Sequence, residues 1–97
     1  MFIVTNATPT GNYTPSVFTN FEDAQYWMYQ CTADNLRNCG ISYPEELEED
    51  DKAICEWFTM NIESIDVEVT DKAAHIYYSD DSFNIMEIFE VILEVKI

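Results

Sequence analysis

Basic side chains are nearly missing from this chain. Only Arg37, Lys52, Lys72 and Lys96 stand against 19 acids, leaving a formal net charge of -15 over 97 residues. That balance excludes direct binding to nucleic acid, whose phosphates need a basic surface, and a surface this acidic is repelled by anionic lipids. Glycine is almost as scarce, with two in the chain, and two isolated glycines cannot build a phosphate-cradling loop. No stretch approaches the roughly 18 apolar residues of a membrane-spanning helix. The start Met1-Phe2-Ile3-Val4 lacks the basic region and apolar run of a secretory signal, so the expectation is a cytoplasmic protein. The three cysteines, Cys31, Cys39 and Cys55, are odd in number and suit free thiols in a reducing compartment. Without a secretory signal, the glycosylation sequons at Asn6 and Asn12 carry no meaning.

What is present is a core. The chain is 47% hydrophobic and 14% aromatic, far from the composition of a disordered acidic tail. Its length suits one domain, so residues 1–97 read as a single acidic α+β domain. The charge well exceeds the magnitude of about 2–8 that solubility asks of a small domain, and its self-repulsion opposes compaction. An acidic proteome would spread such charge evenly, whereas a binding function would gather it.

Residues 2–7 are β-branched and read as a first strand. Thr8 to Ser16, with Pro9, Gly11, Asn12 and Pro15, reads as a loop. Thr19-Asn20-Phe21-Glu22 has the spacing of a capping box, which predicts a helix running to about Cys39 with Gly40 as its left-handed stop. Phe21, Ala24, Trp27, Met28 and Cys31 share one face of that helix. Ser42-Tyr43-Pro44-Glu45 opens a second helical region with Leu47, Ile54, Trp57, Phe58 and Ile62 on its inner face. Asp51 would break that apolar stripe, which a helix capped at Asp50 avoids. Ile65, Val67 and Val69 alternate with Asp66, Glu68 and Thr70, as in a half-buried strand. Asp71-Lys72 and Asp80-Asp81-Ser82 are turns around a strand at 73–78. In residues 83–97 a strand would put Phe83, Ile85, Phe89, Val91, Leu93 and Val95 on one face, spoiled only by Glu87. A helix would instead put Glu87, Glu90 and Glu94 outside; β-propensity favours the strand. The expected order is β-α-α-β-β-β, with both helices on one face of an antiparallel sheet.

Catalytic chemistry finds little footing. The single histidine, His75, lies on a predicted strand and reads as structural or surface-exposed. Cys31 and Cys55 lie on apolar helix faces, where thiols are ordinarily inert, and nearby acids would raise a thiol's pKa further. Zinc sites usually take close cysteine pairs, but Cys31 and Cys39 are too far apart for one. An EF-hand needs a central glycine and alternating oxygen ligands, which the acidic run lacks. No carboxyl is singled out for general acid work. The expectation is therefore no enzyme, no metal and no cofactor.

The acids themselves remain as the working part. Glu45, Glu46, Glu48, Glu49, Asp50 and Asp51 are interrupted only by Leu47, and Glu56 follows on the second helix. Asp66 and Glu68 lie outward on the first hairpin strand, and Asp80 and Asp81 at its later turn. Helical rise is about 1.5 Å per residue, and duplex DNA carries one charge per roughly 1.7 Å, so an acid-dense helix matches a nucleic-acid backbone in charge density. Tyr26, Tyr29 and Tyr43 are candidate apolar anchors. In length, charge, this acidic run and its α+β pattern, the chain resembles the small acidic anti-defence proteins of phages and mobile elements, the anti-CRISPR and antirestriction DNA mimics. Those proteins share no motif. The resemblance implies a stoichiometric inhibitor of a basic nucleic-acid-binding effector, such as a Cas nuclease or restriction enzyme. The alternative is an acidic adaptor or regulatory subunit for a basic protein, with which a homodimer through an apolar edge of the last strand would fit.

Overall fold

The computed structural model describes residues 1–79 and 81–92. Two strands, β1 (Phe2–Thr8) and β2 (Gly11–Phe18), precede helix α1 (Phe21–Arg37). A short 3-10 helix (Glu45–Leu47) leads to α2 (Asp51–Asn61). Strands β3 (Asp66–Val69), β4 (Ala73–Ser79) and β5 (Ser82–Glu90) complete the chain. The expected α+β fold is present, with one strand more than the sequence suggested. The stretch read as a loop contains β2. Pro9 and Thr10 form only the tip of a tight hairpin in which Thr8 pairs with Gly11, whose φ of +134° suits glycine alone. Pro15 survives in a strand because β2 is an edge and the register slips there, between the Val4–Ser16 and Asn6–Tyr13 pairs.

All pairings are antiparallel, in the order β2-β1-β5-β4-β3. The strand reading of the last segment therefore holds through Glu90; residues 93–97, with Glu94 and Lys96, lie outside the described residues, as does Asp80. β5 is the central strand, hydrogen-bonded on both sides. It has no free edge along Ser82–Glu90, which removes the basis for self-association through it. The free edges belong to β2 and β3.

Local chemistry explains the helix ends. Asn20, one residue beyond the expected Thr19, caps α1: its Oδ1 accepts from the Asp23 amide at 2.8 Å. Asp50 caps α2 as expected, accepting from the Ala53 amide at 3.1 Å. The break before it spares Asp51 a place in the core stripe. Gly40, at φ +87°, follows the end of α1 and turns the chain towards α2.

The core joins both helices to one side of the sheet. Ala33 and Leu36 of α1, with Ile54, Cys55 and Phe58 of α2, pack on Val67 and Ile76. Ala24 and Met28 pack on Val4, Ala74, Met86 and Ile88. The register places all six of these sheet residues on the same face, since Val4 pairs with Ile88, Ala74 with Met86 and Val67 with Ile76. Trp27 stays 39% exposed and leans on Phe18 instead of entering the core. No helix among the described residues is long and apolar enough to cross a membrane.

Candidate protein-interaction surfaces

The acidic residues singled out from the sequence fall on two separate surfaces. The run Glu45–Asp51 belongs to the helical layer, while Asp66 and Glu68 point from β3 to the opposite face of the sheet, flanking buried Val67. Asp81 is exposed at the start of β5. The charge is therefore not confined to one side, though the helical group is the denser.

Within that group the acids divide by the work they already do. Asp51 accepts from Arg37 Nη2 at 2.7 Å, and Asp34 from Nη1 at 2.8 Å. The same guanidinium donates to the Glu48 carbonyl at 2.8 Å. Burial alone would lower the Arg37 pKa, but the hydrogen bonds to Asp51 and Asp34 outweigh it and the net shift is upward. Glu48 accepts a short hydrogen bond from the Tyr43 hydroxyl, and that bond heads the causes raising the tyrosine's pKa. Asp50 is the α2 cap. Glu56 reaches Lys52 only at 4.0 Å, between two exposed side chains, a contact worth little in water. Glu45, Glu46 and Glu49 are exposed, and no hydrogen bond or ion pair engages their carboxylates among the described residues. The run is also not a regular acidic helix. It spans a 3-10 turn, a short connection and the first residue of α2, so the even charge ladder expected from helical rise is not formed.

The fold adds an aromatic component that the run alone does not reveal. Tyr26 and Tyr29 of α1 line a shallow depression of about 280 Å³ together with Glu49, Asp50, Asp51 and Lys52. Tyr26 is 65% exposed. Tyr29 is part-buried between the two core clusters, and its pKa is raised by burial first and then by Cys55, Glu56 and Asp71. Acids from α2 and from the β3–β4 turn thus act on one tyrosine. Tyr43 packs on Phe58 with ring centroids 6.0 Å apart and serves the fold. Of the three candidate anchors, Tyr26 is the only exposed one.

The nucleophile candidates are unpromising for chemistry. Burial, then the Asp51 charge, pushes the Cys55 thiol up to about 12. Burial, Asp34 and Asp51 also raise Cys31. No group of three metal-ligating side chains occurs among the described residues. His75 stands on β4 opposite Glu68 and Ile85, edge-on to Tyr77 at 6.5 Å.

The apolar part of the outer sheet face, bordered by Asp66 and Glu68, was not singled out from the sequence as a binding surface. β5 turns Asn84, Met86 and Ile88 to the helices, so Phe83, Ile85, Glu87 and Phe89 face the other way. The signal was visible as alternation, but alternation alone does not say which side is covered. No known protein family, curated protein or solved structure matches the chain.

Proposed function

We propose that the protein is a non-enzymatic acidic binding protein that occupies the nucleic-acid site of a basic host-defence effector, a Cas nuclease or restriction enzyme, and so inhibits it. The observation that carries this reading is the set of exposed, uncommitted carboxylates of Glu45, Glu46 and Glu49, the last of which lines one depression with the exposed ring of Tyr26. Such a set can exchange counterions for arginine and lysine as a phosphate backbone does, and a tyrosine at its margin supplies apolar contact. Long-range attraction from a charge of -15 would steer the encounter.

Binding should weaken steeply with salt. Glu45→Lys, Glu46→Lys and Glu49→Lys together should abolish it without disturbing the fold, because these carboxylates hold nothing internally. Reversal of Glu48 or Asp51 is a poorer test, since it breaks the contacts to Tyr43 and Arg37. Inhibition that is unchanged in the triple variant, or insensitive to salt, refutes the assignment. The adaptor reading draws its own support from the apolar outer face of the sheet, which a nucleic-acid mimic does not require.

A further inference from the structure

The register of β5 puts its more apolar side away from the core. Asn84, Met86 and Ile88 face the helices, while Phe83, Ile85 and Phe89 face outward with Glu87 among them. A slip of one residue would exchange the two sets and bury Glu87, so keeping that carboxylate out of the core leaves the two phenylalanines outside. Pairing extends the outer set across the sheet. Val17 lies beside Ile3 and Ile3 beside Phe89, while Phe83 lies beside Tyr77. Val17, Phe89 and Tyr77 are 58%, 51% and 41% exposed, and among the described residues no helix or strand covers this face. Apolar side chains exposed together on an uncovered sheet face, here around Thr5, Glu87 and His75, mark an interaction surface.

Its charges say what the partner is. Glu87 lies between Thr5 and Ala73 near the middle of the face, and Asp66 and Glu68 border it on β3. The described strands carry no lysine or arginine. Nucleic acid and anionic lipid are repelled by such a face. A twofold-related second copy would set these carboxylates against themselves, with only the His75 imidazole, opposite Glu68 on the same face, to offset them. Burying Glu87 requires a paired cation from the partner. β5 has no free edge to extend, so a partner that covers Phe83, Ile85 and Phe89 lies across the face, where a helix supplies the missing layer.

We infer that the outer face of the sheet is a docking surface for an amphipathic basic helix of a partner protein, with aliphatic residues on Phe83, Ile85 and Phe89 and an arginine or lysine on Glu87. This holds whether or not the helix-side acids mimic nucleic acid.

The probe is a synthetic amphipathic helical peptide of about five turns, about 18 residues, with leucines along one face and two arginines set among them. A control peptide carries glutamate in place of the arginines. Amide chemical shifts are followed during titration of the whole protein. The proposal expects shifts centred on Ile3, Thr5, Ile85 and Glu87, and binding at least about tenfold weaker for the control peptide and for Glu87→Lys. Phe89→Ser should weaken binding similarly, and its exposure keeps the fold intact, as thermal melting would verify. The triple variant at Glu45, Glu46 and Glu49 should keep the same mapped site, which separates this surface from the helix-side one. Shifts confined to residues 45–56, equal binding by Glu87→Lys, or a dimer that Phe89→Ser dissociates would each overturn the assignment.

Discussion

Arg37 shows how few cations this chain can spare for its own structure. Its guanidinium ties the end of α1 to Asp51 at the start of α2 and to the Glu48 carbonyl between them. Only 16% of the Arg37 side chain and 20% of the Asp51 side chain is exposed, so solvent screens the pair incompletely. Arg37→Ala should lower stability by about 1–3 kcal/mol, read from urea denaturation, with the larger loss at low salt. Cys55 gives a second residue-scale test. Its thiol, raised from 9.0 to about 12 by burial, is protonated in both folded and unfolded states below pH 9. Between about pH 9 and 12 the unfolded chain releases the proton more readily, so stability falls across that window. Cys55→Ala should make the alkaline fall shallower in pH-dependent melting; an unchanged slope would mean that the thiol is not the titrating group.

At the scale of elements, caps and registers decide most of the architecture. Asp50→Ala should cost about 1 kcal/mol through loss of the Ala53 amide bond, whereas Asp50→Asn, which keeps an acceptor there, should cost much less in the same denaturation series. The Asp50 cap could be read from the sequence, because Asp51 conflicted with the apolar stripe of a longer helix. The helices were legible through the spacing of Ala24, Met28, Ile54 and Phe58, all buried in the structure, and β3 through the alternation around Val67. Strand β2 was not legible. Pro9, Gly11 and Pro15 are loop-formers wherever a strand is fully paired, and only the edge position and the register slip reconcile them with one. The candidate site was legible in part, as a run of acids along the chain. That Asp51 is spent on Arg37 while Glu45, Glu46 and Glu49 remain free depends on side-chain contacts between segments distant in sequence. The bare side of β5 depends on which face the helices choose, and local pattern does not contain that choice.

For the whole molecule, the two-layer fold holds together against a charge of -15 because both helices and the sheet share one apolar interior. Self-repulsion should nonetheless be measurable: the melting temperature should rise as sodium chloride is added from low ionic strength, where screening is weak. A melting temperature indifferent to salt would mean that the acids are already compensated. In the proposed function, the same charge is the basis for competition with nucleic acid for a basic surface. The most direct measurement titrates the protein into labelled DNA bound to each of a panel of Cas nucleases and restriction enzymes, following the anisotropy of the DNA. The expected result is stoichiometric release of DNA from at least one effector, weakening steeply with salt and lost when Glu45, Glu46 and Glu49 are reversed. An effector that holds the protein and its DNA at once, or a panel from which no DNA is displaced, would contradict it.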